Sequence, residues 1–169
     1  MIARAGVSRK GLLMASYVER VLQPGETVRY SGTLHWIIFL PAFVLLAFSI
    51  IGLATMAISP RVGAGAKVFF VVVLAAFVFG ALHLLAAWIR RQTTEIAVTD
   101  RRVIYKVGLL SRRTIEMNMD KVESVDVRQD LFGRMLDYGT VVIRGTGAGI
   151  EPLTSIATPL ALRNAITAR

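Results

Sequence analysis

The sequence contains no cysteine, and it also lacks the motifs of the common enzyme classes. Without cysteine, disulfide bonds and thiolate metal sites are excluded, and the redox state of the compartment cannot be inferred. No phosphate-binding loop, no Gly-x-Ser-x-Gly nucleophile turn and no His-Glu-x-x-His zinc motif occurs. We therefore predict that the protein is not an enzyme and that it has no catalytic residue, cofactor or metal.

Charged residues are absent from two long stretches of the chain. Asp, Glu, Lys and Arg do not occur from Leu34 to Ile58, nor from Val68 to Ile89. A helix needs ~20 apolar residues to cross a bilayer core. The remaining parts of this 169-residue chain are too short to bury two such helices as a soluble core. The sequence therefore predicts a transmembrane hairpin over 34–90, with helices at 34–58 and 68–89 and a loop at 59–67.

The distribution of basic residues predicts the orientation of this hairpin. The net charge is +9, with five basic residues in 1–33, thirteen in 90–169 and two in the loop at 59–67. By the positive-inside rule, both termini lie in the cytoplasm and the loop faces outward. Trp36 and Trp88 are the predicted interfacial anchors on the cytoplasmic side. Much of the positive charge is therefore explained by topology.

The hydrophobic pattern changes to period two after Thr93. The runs TEIAVT, RVIYKV, RTIEMNM, ESVDVRQ, YGTVVIRG and IEPLTSIA predict strands, and LFGRML predicts a bulged loop or a single helical turn. The residues expected on inward faces are Ile96, Val98, Ile115, Met117, Met119, Val125 and Val127. Thr158 and Pro159 begin a predicted C-terminal helix, with Thr158 as N-cap. Residues 91–169 are therefore expected to form a small β-sandwich or barrel capped by a helix.

The N-terminal segment, residues 1–33, has a mixed pattern. Apolar residues at helical spacing predict a short amphipathic helix; they are Leu13, Met14, Tyr17, Val18, Val21 and Leu22. Pro24 and Gly25 end this helix, and the alternating run ETVRYSGT predicts a short strand leading into the membrane. The pattern is compatible with a helix on the membrane surface and with a helix packed on the β-domain.

Four motifs in the β region point to a known family. They are TDRR at Thr99–Arg102, GLLSRR at Gly108–Arg113, DKVESV at Asp120–Val125 and LFGRMLDYGTV at Leu131–Val141. Together with the upstream LQPGETVRYSGTLHWIIFLP, they resemble the bacterial pleckstrin-homology-like (PH-like) domain of small membrane proteins. The resemblance implies a multi-pass protein of the bacterial inner (plasma) membrane. It also implies a cytoplasmic all-β PH-like sandwich or barrel with a C-terminal helix, and it carries over no catalytic or ligand-binding residues.

Basic side chains cluster around the first predicted hairpin of the β-domain. The candidates for contact with anionic lipid headgroups are Arg90, Arg91, Arg101, Arg102, Lys106, Arg112 and Arg113. Near an anionic leaflet, each Lys or Arg contributes ~1 kcal/mol. The alternative is that these residues only solubilise the domain and protect its strand edges. The two turns lie at opposite ends of the middle strand, so all of these residues cannot face the membrane together.

Two histidines are the remaining titratable candidates. His83 is a polar residue inside the second predicted transmembrane helix, and His35 begins the first. A hydrogen bond between the helices is the favoured role for His83. A shared metal or proton site is disfavoured because no carboxylate is near either histidine in the sequence.

These observations favour an interaction protein. We expect a non-enzymatic PH-like scaffold that self-assembles as a homo-oligomer, or binds a protein partner, at the cytoplasmic face of a bilayer containing anionic lipids. An anionic lipid-headgroup sensor is the alternative. A transporter or channel built from oligomeric hairpins is disfavoured because His83, Ser49 and Thr55 are the only polar candidates to line a pathway. Nucleic acid is not an expected partner, since Tyr105 and Tyr138 are isolated on different strands and form no platform for bases.

Overall fold

The computed structural model describes residues 17–58, 63–109, 113–146 and 152–168. The helices are α1 (Tyr17–Val21), α2 (Leu40–Ile58), α3 (Ala64–Thr93), α4 (Leu131–Leu136) and α5 (Pro159–Thr167), with 3-10 turns at Trp36–Phe39 and Met119–Lys121. The strands are β1 (Val28–Gly32), β2 (Glu95–Thr99), β3 (Arg102–Val107), β4 (Arg113–Asn118), β5 (Val122–Arg128), β6 (Tyr138–Gly145) and β7 (Leu153–Ala157).

The two apolar stretches form a packed pair of long helices, as predicted. Helix α3 is longer than expected, because it begins at Ala64 and continues through Arg90 and Arg91 to Thr93. Both helices are long and apolar enough to cross a membrane, with a mean hydropathy of 2.7 in each. Only 17% and 11% of their most apolar windows are buried, whereas a core helix of a soluble protein is mostly buried.

Small residues form the contact between α2 and α3. Gly52 lies against Val73, and Gly80 lies against Leu45 and Leu46, so that an added Cβ would meet these side chains at 2.6–3.2 Å. Ser49 is fully buried between the helices and donates its hydroxyl to the carbonyl of Leu45 at 2.7 Å. These small residues therefore serve the packing of α2 on α3 within one chain.

The strands form two antiparallel sheets. Sheet A has the order β1-β2-β3-β4, and sheet B has the order β5-β6-β7. Alternate residues of both sheets form one core together with Leu34 and helix α5. Its buried members are Leu34, Ile96, Val98, Val103, Met117, Val141, Ile143, Leu153, Ile156, Leu162 and Ile166. The predicted inward faces are confirmed, since Ile115, Met119, Val125 and Val127 pack against this core.

The N-terminal segment packs on the outer face of sheet A. Val18 of α1 is buried with Ala97 and Ile104, which point away from the main core. Strand β2 is therefore covered on both faces, in contrast to the one-sided burial that its period-two pattern predicts. The described part of the N-terminal helix thus packs on the β-domain, while residues 1–16 lie outside the described part of the chain.

The C-terminal helix α5 closes the sandwich. Leu162 and Ile166 are buried in the core between the sheets. Thr158 occupies the predicted N-cap position, but its backbone is left-handed, with φ +50°, and its side chain does not cap the helix. Its hydroxyl instead forms a 2.8 Å hydrogen bond with the hydroxyl of Tyr30, which ties the start of α5 to β1.

Both ends of the helix pair are built directly into the sheets. Before α2, the His35 amide donates to the Ser155 carbonyl at 2.7 Å, and the Ala157 amide donates to the Thr33 carbonyl at 3.0 Å. After α3, a single residue, Thr94, precedes β2. The β-domain therefore includes residues 28–35 in addition to the predicted 91–169, and no flexible linker separates it from the helices.

The packing of α2 on α3 predicts a stability difference between two glycine variants. In Gly52→Val, the added methyl groups would overlap with the stiff side chain of Val73, so we expect a loss of about 1–3 kcal/mol. Gly65→Val is the matched control, because nothing lies within 4 Å of its Cβ position. Thermal unfolding of the purified protein in detergent measures both. Equal midpoints for the two variants would contradict this helix packing.

Candidate functional site

The strand directions give the β-domain two distinct ends. Strand β2 leaves the helix pair at Glu95 and ends at Thr99, and β3 returns beside it with Lys106 opposite Glu95. We name the end with Glu95 and Val107 the helix-side end, and the end with Thr99 and Arg102 the far end. At a rise of ~3.3 Å per residue, strand β3 (Arg102–Val107) places the two ends about 16 Å apart.

Arg102 and Arg113, one from each arginine pair of the sequence, lie at opposite ends of sheet A, as the opposite ends of the two turns predict. Arg101 and Arg102 are at the far end, next to the turn between β2 and β3. Arg113 is at the helix-side end, because it pairs with Val107 in the ladder between β3 and β4. Arg112 lies in the segment 110–112, outside the described residues.

Arg102 is bound within the chain. Its Nε and Nη2 donate to the two carboxylate oxygens of Glu26 at 3.0 and 2.9 Å, and Nη1 donates to Glu116 at 2.7 Å. Nη2 also donates to the carbonyl of Val21 at 2.8 Å. Only 13% of the side chain is exposed, so Arg102 joins the N-terminal segment to sheet A.

Glu26 is the other half of this buried ion pair. Its carboxylate is fully buried and also accepts hydrogen bonds from the Thr99 hydroxyl at 2.7 Å and the Gln23 amide at 2.8 Å. The hydrogen-bonded Arg102 guanidinium lowers the pKa of Glu26 to about 2, against the opposite effect of burial. Sequence reasoning missed Glu26, because its partner is 76 residues away and no local pattern marks the pair.

Lys106 is also occupied by neighbours in the chain. Its Nζ lies 2.9 Å from a carboxylate oxygen of Glu95 and 5.1 Å from the ring centroid of Tyr17. The side chain is 10% exposed. Arg101 is exposed at the far end and donates weakly to Gln23 at 3.4 Å. The basic first hairpin is therefore a structural cluster, and it does not present Arg102 or Lys106 to a ligand.

Basic and aromatic residues gather at the junction between the helices and the β-domain. Arg90 donates from Nη2 to the Thr154 hydroxyl at 3.1 Å, and the Arg91 guanidinium lies 5.8 Å from the ring centroid of Phe39. Trp36 and Trp88 are 46% and 54% exposed at the same end of the helix pair. This arrangement matches an aromatic and basic belt at a membrane surface.

The two histidines lie in different surroundings. His35 Nδ1 accepts a hydrogen bond from the Ile37 amide at 3.2 Å, and its ring stacks on Tyr138 with centroids 5.3 Å apart. His35 therefore caps the 3-10 turn that leads into α2. His83 is exposed on α3, and its predicted hydrogen bond between the helices stays a prediction. Within the described ranges, no group of three His, Asp or Glu side chains could hold a metal.

A cleft of about 520 Å³ opens at the helix-side end of sheet B. Its lining residues include Arg128, Gln129, Asp130, Tyr138, Thr140 and Thr154. The Thr154 hydroxyl that accepts from Arg90 places this cleft directly beside the end of α3. The cleft therefore offers both cationic and hydroxyl groups next to the helix pair.

A family model described as bacterial PH domain matches residues 36–169, a range that contains both long helices and strands β2 to β7. No curated protein and no solved structure matches the chain.

The buried pair predicts a pH dependence of stability. The folded-state pKa of Glu26, about 2, lies below its ordinary value of 4.5. The stabilisation is therefore complete above pH 4.5 and is lost as the pH falls toward 2. We expect Glu26→Gln to lower stability near pH 7 by on the order of 3 kcal/mol, because it leaves Arg102 without its buried carboxylate.

The measurement is thermal unfolding of wild type and variant between pH 7 and pH 3. The difference between the two should shrink as the pH falls. Asp126→Asn is the control, because its ion pair with Arg128 is largely exposed and worth less than ~1 kcal/mol. A difference between wild type and Glu26→Gln that stays constant with pH would show that Glu26 is not ionised in the folded protein.

Proposed function

The chain belongs to the bacterial PH domain family, and on this premise we propose that it is a membrane-anchored, non-enzymatic interaction module. In this proposal, α2 and α3 cross the bacterial inner membrane as a hairpin, and both termini lie in the cytoplasm. The β-domain is held with its helix-side end against the membrane surface. The part of its surface that neither the membrane nor the N-terminal segment covers meets a second copy of the chain or another protein.

One observation carries this proposal: the β-domain is fixed without a linker to the end of an exposed apolar helix pair. Large apolar side chains such as Ile50, Val71 and Phe79 are 61–67% exposed on the outside of this pair. Exposure of apolar area to water costs ~25 cal/mol per Å², and contact with lipid removes this cost. The attachment through Thr94 and through His35 then determines which end of the β-domain faces the lipid.

The basic residues at the helix-side end are the proposed contacts with anionic headgroups. Arg90, Arg91 and Arg113 lie at this end. Arg112 immediately precedes Arg113 in the sequence. Arg101, at the far end, is excluded from the proposal by its position. Arg102 and Lys106 are excluded because their side chains are only 13% and 10% exposed.

The scaffolding role is supported by the edges of the sheets. Within the described part of the chain, strand β4 is the last strand of sheet A, and an edge strand can extend its sheet by pairing with a strand from another molecule. We propose self-assembly through such a surface as the main role of the β-domain. A protein partner that adds a strand in the same way is the second form of this proposal.

A lipid-headgroup sensor is the alternative function. The cleft beside Arg90 and Thr154 favours it, because a cleft of about 520 Å³ with hydroxyl, amide and guanidinium groups can enclose a polar headgroup. Occupancy of this cleft would then change how the module assembles. The two functions differ in the form of lipid binding: a cleft saturates at a fixed stoichiometry, whereas a charged surface responds gradually to lipid charge and to salt.

The lipid contact predicts a charge-dependent stabilisation of the full-length protein. Adding phosphatidylglycerol to the detergent-purified protein should raise its thermal unfolding midpoint more than phosphatidylcholine does. Arg113→Glu should reduce this extra rise, because each arginine near an anionic surface contributes ~1 kcal/mol. Arg101→Glu is the matched control, since Arg101 is an exposed arginine at the far end, and it should respond like wild type.

Three outcomes of this titration are informative. A graded, salt-sensitive rise that Arg113→Glu weakens supports the surface contact. A saturable rise that persists at high salt supports the headgroup cleft instead. An equal response to both lipids, or an equal effect of both substitutions, would remove anionic lipid from the proposal.

A further inference from the structure

Helix α4 presents an apolar surface that the proposed function does not use. In this six-residue helix, Leu131, Phe132 and Met135 are 77%, 68% and 81% exposed, respectively. They lie within about one turn of each other on the outer side of the helix, while Gly133 is buried on the inner side. Three adjacent large apolar side chains at this exposure form a concentrated patch on a small domain.

The surrounding residues fix α4 in this orientation. The Asp130 carboxylate caps the helix by accepting from the Gly133 amide, and the Gln129 side-chain amide donates to the carbonyls of Gly133 and Tyr138 at 3.1 and 3.0 Å. A Cβ at Gly133 would lie 2.7 Å from the carbonyl oxygen of Tyr138. Helix α4 therefore cannot turn its apolar side inward without breaking these contacts.

The same patch lies at the helix-side end of the β-domain. Helix α4 connects β5 to β6 at the end where Arg128 pairs with Thr140. The ring of Tyr138, two residues after the end of α4, stacks on the imidazole of His35 with ring centroids 5.3 Å apart. His35 is one residue before Trp36, so α4 ends at the level of the interfacial tryptophan.

Position favours lipid as the occupant of this patch. Arg134 is exposed on α4 itself, and Leu109 is 58% exposed in the turn after β3, which also lies at the helix-side end. Large apolar side chains that project from the membrane-proximal end of a domain are typical of segments that enter the interfacial layer of a bilayer. The stacking of Tyr138 on His35, directly before the 3-10 turn into α2, places the patch at the end of the β-domain where the helix pair begins.

We propose that α4 inserts Leu131, Phe132 and Met135 into the interfacial layer of the bilayer, as a third membrane contact beside α2 and α3. This inference rests on the proposed function, because it requires that the helix pair crosses a membrane. Interfacial helices place their apolar face ~5–10 Å below the headgroup boundary. Insertion of α4 would fix the tilt of the β-domain and therefore the direction in which its partner surface points.

The absence of cysteine allows this inference to be tested with single labels. A nitroxide spin label on Met135→Cys is measured in the full-length protein in liposomes. Its collisions with oxygen, which concentrates in lipid, are compared with its collisions with a water-soluble nickel complex. Asp120→Cys, exposed near the far end, is the aqueous control, and Val71→Cys, 61% exposed on α3, is the lipid control.

We expect the label at Met135 to favour oxygen over nickel, with a depth between those of the two controls. A label at Met135 that behaves like the one at Asp120 would overturn the inference while leaving the membrane hairpin intact. A label that neither reagent reaches would overturn the inference and would show that protein, not lipid, covers the patch on α4. A label at Val71 that favours nickel would overturn the proposed function itself.

Discussion

The structure depends on one constraint: both ends of the helix pair continue directly into the β-sheets. Before α2, residues 33–35 pair with β7, and after α3 only Thr94 precedes β2. The β-domain therefore cannot rotate freely above a membrane that contains the helices. The position of each exposed residue relative to the helix pair is therefore fixed: Arg113 and α4 lie at the helix-side end, and Arg101 lies at the far end.

The buried ion pair between Glu26 and Arg102 adds the N-terminal segment to this unit. Removing two charges from water is costly, and the cost is offset because the carboxylate and the guanidinium each have several hydrogen-bond partners. The pair fixes the position of residues 17–27 on sheet A, and Val18 then covers Ala97 and Ile104. The positive charge of Arg102 on the first hairpin therefore stabilises the fold. The net charge of the sequence alone could not distinguish this structural role from lipid binding.

The elements that depend on local hydrophobic periodicity were predictable from the sequence. Two charge-free stretches indicated the helices, and period-two runs indicated the strands from β2 to β7 to within a few residues, with LFGRML correctly separated as an interruption. Contacts over long sequence distances were not predictable: Glu26 with Arg102, and His35 with Tyr138, join segments that no spacing rule connects. The orientation of α4 was also hidden, because it depends on the side chain of Gln129 and on tertiary packing around Gly133.

The central claim is that the helix pair and the β-domain form one rigid unit in the membrane. It is tested most directly by the distance between spin labels at Gly65→Cys, in the first turn of α3, and Glu123→Cys, exposed on β5. The measurement uses pulsed electron resonance in bilayer discs, with labelled protein diluted in unlabelled protein so that only distances within one chain are seen. The account predicts a single narrow distance distribution, and a broad or multiple distribution would contradict it.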